Sequence, residues 1–354
     1  MGSPLGSEEA GAVLGPDQYV CTLPAEVCKL AETHLMEEDR ARTSAIVQMR
    51  DFISSHPSIT KCRMDGNFLL RFLRMKKFRV EEAQEQLEKY LRMRQEHPQW
   101  FTKLNILDPT LDELISTGYF FALPERDESG RRVFFSRLAP QWAFIPWPVP
   151  LLYNNSRKKR KPMFSLHSSL PGKMDPARFT ASDQMRSMLV GFESLIEDEE
   201  NQVRGFTYIF DEKELGLSII TLWTPSDVSK AFQCCEKTIP MRHKEIHIVN
   251  LPSTLMAVFE FAKTLLSDKI KNRFQMHSDN SKLRQAVPAR LLPKEYGGTI
   301  PLADMIQMYK KELLSVRSRV LMLDQMHIGK KPKNKRIDKA LTTIQRNFKK
   351  LDID

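Results

Sequence analysis

Residues 246–274 read IHIVNLPSTLMAVFEFAKTLLSDKIKNRF, and their reading decides the fold. A short apolar strand, Ile246–Val249, runs into Pro252, and Pro252 suits a helix start, where its missing N–H is no loss. Leu255, Phe259, Ala262, Leu266, Ile270 and Phe274 then recur three or four residues apart, the spacing of one helical face. Lys269 and Arg273 are four apart and lie on the same side, near its end. An amphipathic helix is expected over this stretch, with a buried side that turns cationic at one end. Such a helix suits a lid over an apolar cavity beside an anionic headgroup better than a wall around a catalyst.

The rest of the chain supplies a setting for it. The 354 residues allow two domains, or one large domain with flanking helices. Hydrophobic residues at 41% and charged residues at 28% are those of an ordinary soluble globular protein. Phe (20) and Met (17) can line an adaptable cavity, although a plain core accounts for them more simply. The net charge of +10 points to anionic partners, such as membrane surfaces, phospholipid headgroups or nucleic acid. Two runs carry much of it, RKKRK at 157–161 and KKPKNKR at 330–336. Five cysteines without a CxxC pair fit free thiols in a reducing compartment. Residues 1–18 have no apolar h-region, and no window is apolar enough for a membrane span. The expectation is a cytoplasmic protein that touches membranes transiently at their surface.

Along the chain, residues 1–20 are small and Gly-rich and are expected to be disordered. Residues 21–102 read as helical, with helices over Phe68–Lys76 and Val80–Gln95 and a stop at Pro98. From about residue 118 strands alternate with helices. Strands are expected at 118–124, 132–138 and 205–211, a long helix at Asp175–Glu199, and another around Val228, Phe232 and Cys235. The nearly continuous apolar run at 205–211 suits a strand buried on both faces. This alternation makes an α/β fold over 103–300. A last helix is expected within 301–328, followed by a basic tail over 329–354. Residues 148–173, rich in Pro, Ser, Lys and Arg, break the rhythm and read as an exposed insertion.

Catalytic chemistry is not legible. The chain has no GxSxG elbow, P-loop or GxGxxG. His243 and His247 are four apart, but a metal pair at that spacing needs a helix and this segment runs into a strand. No catalytic residue, metal or cofactor is expected, and so no enzyme. The positive signal is a set of separated cations: Lys76 and Lys77, Arg242 and Lys244, and Lys269, Lys271 and Arg273. If they converge they can hold a multiply charged phosphate by charge-assisted hydrogen bonds. If they do not, they are solvated helix ends. The two basic runs read as solvated segments rather than a nucleic-acid site, since no aromatic residue interleaves the C-terminal one.

LLRFLRMKKF (69–78), GFTYIFDEKELGLS (205–218), PMRHKEIHIVNLP (240–252), DKIKNRFQMH (268–277) and LLPKEYGGT (291–299), in this order, resemble the CRAL-TRIO lipid-binding family. The likeness is to the branch of alpha-tocopherol transfer protein and cellular retinaldehyde-binding protein, which has many insect relatives. It implies an N-terminal helical domain, then an α/β domain with a mixed, largely parallel sheet and a mobile gate helix over an apolar cavity. It implies a phosphatidylinositol bisphosphate site at Lys76, Arg242, Lys269 and Arg273. A tocopherol, retinoid or similar lipid would meet Met188, Phe192, Phe206, Tyr208 and Ile209, with Leu255, Val258, Phe259 and Ala262 from the gate. Met188 and Phe192 stand where that branch carries serines near the chromanol, which makes this pocket more apolar. A monomeric carrier is expected. The rival expectation is a phosphoinositide-reading membrane adaptor without lipid exchange.

Overall fold

The computed structural model describes residues 19–137, 178–213 and 223–329, apart from the side chains of Pro225 and Val258. Most of the expected N-terminal tail, the 148–173 insertion and the basic tail past Gly329 lie outside those residues, and so do both basic runs. Tyr19 is described, and it is tethered rather than loose. Its hydroxyl donates to Glu199, and the Arg42 guanidinium lies 5.4 Å from its ring centre.

The N-terminal third is helical: Ala25–Leu35 (α1), Asp39–Ser55 (α2), a short strand Ile59–Lys61 (β1), Gly66–Met75 (α3), Val80–Glu96 (α4), Pro98–Phe101 (α5) and Pro109–Ser116 (α6). Local chemistry sets the starts. The Asp65 carboxylate accepts from the Phe68 N–H at 3.1 Å, and the Asp108 carboxylate caps α6 ahead of Pro109. Pro98 does not simply end α4; it opens the single turn of α5.

The α/β part follows: Phe120–Arg126 (β2), Arg132–Arg137 (β3), Ala181–Leu195 (α7), Glu199–Arg204 (α8), Phe206–Asp211 (β4), Pro225–Phe232 (α9), a wide π turn at Gln233–Thr238, and His243–Val249 (β5). Then come a 3-10 turn at Ser253–Leu255, Met256–Thr264 (α10), Asp268–Lys271 (α11), Phe274–His277 (β6), Asn280–Ala286 (α12), Leu302–Ser315 (α13), Arg317–Leu321 (α14) and His327–Ile328 (β7). The five-stranded sheet runs β2-β3-β4-β5-β6, antiparallel only between β2 and β3. A mixed, largely parallel sheet behind a helical N-terminal region is therefore the observed architecture. A two-stranded ribbon pairs Ile59 of β1 with Ile328 of β7, tying the helical region to the end of the last described segment.

Three expected helices are broken. The 175–199 helix starts only at Ala181, because Thr180 and Asp183 form a reciprocal capping box. It stops at Leu195, and Asp198 caps a separate α8. The 252–274 stretch is not one helix. Ser267 caps α11 through its hydroxyl, and Phe274 already belongs to β6. Its apolar stripe is nonetheless inward, since Leu255, Phe259, Ala262, Leu266 and Ile270 are all buried. The last helix breaks at Val316.

Buried ion pairs dock the helical region on the sheet domain. Arg71 lies 2.7 Å from Glu197 and 3.2 Å from Glu193, and Arg63 is 2.6 Å from Glu197. Arg74 bridges Glu37 at 2.7 Å and Glu199 at 2.8 Å. Burial pushes the Glu197 carboxyl up, but Arg71 and Arg63 outweigh it and hold it at about 2.

Candidate functional site: a basic cleft against an apolar hollow

Side-chain alternation sorts β4 into two faces. Phe206, Tyr208 and Phe210 point one way; Tyr208 and Phe210 stack with ring centres 6.0 Å apart, and Phe134 stacks on both Phe206 and Tyr208. Phe192 of α7 covers this face, edge-on to Phe134 and Tyr208. The opposite face carries Thr207, Ile209 and Asp211; there Tyr296 packs on Phe135 and donates to Asp211 at 2.5 Å.

Strand β5 contains an irregularity with consequences for the site. Phe206 pairs with His243, yet Thr207 pairs with Glu245, so Lys244 is an extra residue. The bulge puts His243 on the Tyr208 side and leaves His247 on the other, where it meets His277 at 3.1 Å. The two histidines thus look away from each other. Among the described residues, no cluster of three or more candidate metal ligands occurs.

On the Tyr208 side an apolar hollow of about 80 Å³ is lined by Met188, Phe192, Tyr208, Phe210, Phe232, Ile246, Leu266, Ile270 and Phe274, with Cys235, Glu236 and His243 at its polar end. Of the cavity residues expected from sequence, Met188, Phe192 and Tyr208 line it. Ile209 lies on the opposite face of the sheet, because adjacent strand residues point apart. Phe206 shares the right face but is consumed by its stack on Phe134. Leu255, Phe259 and Ala262 are buried without reaching the hollow; Phe259 packs edge-on to Phe274 instead. The Val258 side chain lies outside the described residues. Alternation along β4 could have found Phe210, and the opening stripe already contained Leu266, Ile270 and Phe274.

Beside the hollow is a cleft of about 850 Å³, and Lys76, Arg242, Lys269 and Arg273 all line it. Four separate pieces of backbone deliver them. Lys76 is the C-cap of α3, and the turn beyond it takes left-handed φ at both Lys77 (53°) and Phe78 (56°). Arg242 stands at the mouth of β5, Lys269 sits in α11, and Arg273 just precedes β6. Lys77, Lys237 and Lys244 join them in the lining; of these, Lys237 carries no signal in the sequence that marks it for the cleft.

The cleft is positive because its cations are short of carboxylates. Arg79, Lys89 and Arg92 on its outer wall pair with Glu82, Glu85 and Glu88. Lys76, Lys77, Lys237, Arg242, Lys244, Lys269 and Arg273 make no ion pair among the described residues. The guanidinium groups of Arg242 and Arg273 are held by backbone carbonyls instead, donating to Val203 O and His243 O. Their electrostatics record the crowding. Burial, and then Arg273, Arg242, Lys77 and Lys76, push the Lys269 ammonium down. Burial followed by Arg242, Arg131, Arg273 and Lys269 brings Lys244 to about 8. Burial, Arg273 and Arg131 bring Arg242 to about 10, so it remains charged at neutral pH. A polyanion entering this cleft relieves repulsion as well as gaining hydrogen bonds.

The cleft and the hollow share a wall: Glu236, His243 and Ile270 belong to both linings. Outside that wall, Met256, Phe261 and Leu265 on and just after α10 are more than 40% exposed. No helix among the described residues is long and apolar enough to cross a membrane.

A parallel sheet with one antiparallel edge, a helical N-terminal region and a cationic cleft against an apolar hollow define a class, and comparison with known proteins names it. Residues 155–298 match the CRAL/TRIO domain, and residues 38–111 match a Pinta-like UBA domain. Clavesin-1 of Xenopus laevis is 30% identical over 80% of this chain and 76% of its own. The alpha-tocopherol transfer protein-like protein of Mus musculus is 29% identical over 80% of this chain and 73% of its own. Among solved structures, the crystal structure of Sfh5 aligns over 81% of this chain and 99% of its own, at 13% identity and a TM-score of 0.46. The chain belongs to the CRAL-TRIO family of lipid-binding and lipid-transfer proteins.

Proposed function

We propose that the protein is a non-enzymatic, monomeric carrier of one small hydrophobic lipid, a tocopherol, retinoid or similar molecule. It works in the cytoplasm and docks transiently on membranes that display phosphatidylinositol bisphosphate. The lipid occupies an enlarged form of the hollow, and the headgroup occupies the basic cleft. The observation that carries this reading is the shared wall: Ile270 touches both spaces, and Lys269 and Arg273 flank it.

The present hollow is far below the roughly 300 Å³ at the lower end of small-molecule sites. Loading therefore requires residues 253–274 to swing outward, as a gate would. Capture of a headgroup by Lys269 and Arg273 biases that motion, because it acts on the segment that closes the hollow. The exposed Met256, Phe261 and Leu265 then face the bilayer. Burial of ligand at about 25 cal/mol per Å² of apolar surface drives uptake.

Transfer of a fluorescent lipid between vesicles, with and without phosphatidylinositol bisphosphate in the acceptor, tests the proposal. Faster transfer to the phosphoinositide-bearing acceptor is expected, together with a native lipid in organic extracts of the purified protein. A folded protein that carries no lipid and takes none from vesicles sinks it. The narrowness of the hollow beside so large a cleft favours one second reading, a phosphoinositide-binding membrane adaptor without lipid exchange. Headgroup-dependent sedimentation with no transfer would select it.

A further inference from the structure

The polar end of the hollow has a definite hydrogen-bond polarity. His243 Nε2 lies 2.8 Å from the Cys235 carbonyl oxygen, which only accepts, so Nε2 carries the proton. Nδ1 lies 2.7 Å from the Tyr208 hydroxyl. Burial, with Arg273 and Lys269 nearby, brings His243 down to about 4, so near neutral pH the ring bears one proton and Nδ1 is an acceptor. Tyr208 must therefore donate to Nδ1. Its single proton is used, and what its oxygen has left are lone pairs. The carboxyl group at that end, Glu236, is acceptor-only when ionised. The thiol of Cys235 is a weak donor.

We propose that Tyr208 and His243 make the cavity selective for lipids whose polar end donates a hydrogen bond, an alcohol or phenol, against ethers, esters and aldehydes of the same skeleton. This rests on the carrier reading above and narrows its ligand class. An acceptor-only headgroup placed at this end meets the Tyr208 oxygen and the Glu236 carboxylate and loses its own water without replacement. A hydroxyl keeps a partner. Tyr208 is a specificity residue here through its oxygen, and His243 positions it by taking its proton.

The test uses the full-length protein and two probes, a pyrene-labelled long-chain alcohol and its methyl ether. Wild-type protein is expected to bind the alcohol about tenfold tighter, the worth of one net hydrogen bond. Tyr208→Phe alone bares His243 Nδ1, which can accept from the alcohol in its place, so the test variant is Tyr208→Phe with His243→Phe. It should bring the alcohol to within about twofold of the ether, with a lowered melting temperature from the lost buried bond and with ether binding still measurable. Equal binding of both probes by the wild type overturns the donor preference and leaves the carrier reading standing. A tenfold preference that survives in the double variant overturns the role of this pair. Binding of neither probe by wild-type protein overturns the carrier reading itself.

Discussion

Arg71 Nη2 and Glu197 Oε1 lie 2.7 Å apart with side chains 0% and 2% exposed, joining α3 of the helical region to the stretch between α7 and α8. Removing one partner strands a buried charge. Arg71→Ala is expected to cost about 3–5 kcal/mol of unfolding free energy, measured by urea titration. A loss under about 1 kcal/mol would show that water reaches the pair in solution.

The same carboxylate sets an acid limit. Its folded pKa is depressed to about 2 from 4.5, so its contribution is present above the unfolded value and lost as pH falls toward the folded one. Stability should decline between about pH 4.5 and 2, and Glu197→Gln should flatten that part of the curve. Identical slopes for the two proteins would remove Glu197 from the account.

Lys269→Ala and Arg273→Ala should each weaken binding to vesicles containing phosphatidylinositol bisphosphate by roughly tenfold, since a hydrogen bond to a charged group is worth about 1.5–3 kcal/mol. Circular dichroism should not change for Lys269→Ala, because that side chain makes no ion pair among the described residues. Sedimentation that is indifferent to both substitutions rules the cleft out as the headgroup site.

Lys244 gives the cleft a pH dependence. With its ammonium brought to about 8 by burial and the neighbouring Arg242, Arg131, Arg273 and Lys269, it is charged below pH 8 and neutral above. Anion binding should therefore fall as pH rises from 7 to 9, and Lys244→Gln should bind more weakly at pH 7 and lose that slope. Any further phosphate ionisation above pH 7 adds negative charge and acts in the opposite direction.

Gly205 opens β4 at φ 86°, and an added Cβ would fall on the Arg242 carbonyl oxygen that accepts from Phe206 N at 2.9 Å. Gly205→Ala is expected to destabilise by more than 1 kcal/mol and to shift Arg242 within the cleft. An unchanged melting temperature would refute the close approach.

The elements that repeat a local pattern were readable from the chain. The continuous apolar run at 206–210 is a buried strand, and the stripe from Leu255 to Ile270 is buried even though two helices share it. The errors came where one residue changes the parity. Taken as a continuous helix, the 252–274 stretch hid the Ser267 cap, although Ser followed by Asp after an apolar pair is a start signal. On β4 the period of two puts Phe210 on the hollow's face with Tyr208, and Ile209 on the other.

The resemblance names Lys76, Arg242, Lys269 and Arg273 together, but nothing local in the chain tells whether Lys76 and Arg242, 166 positions apart, meet. Their convergence needs the turn after α3, the bulge at Lys244 and the start of β6 to be assembled at once. Hydrophobic periodicity and charge are properties of neighbours along the chain, so composition and spacing determined the α/β class, the buried stripe and the supply of cations. Which cations face one another, and which side of the sheet His243 takes, depends on strand register and helix docking. Those are decided by burial across the whole molecule, and only the tertiary structure contains them.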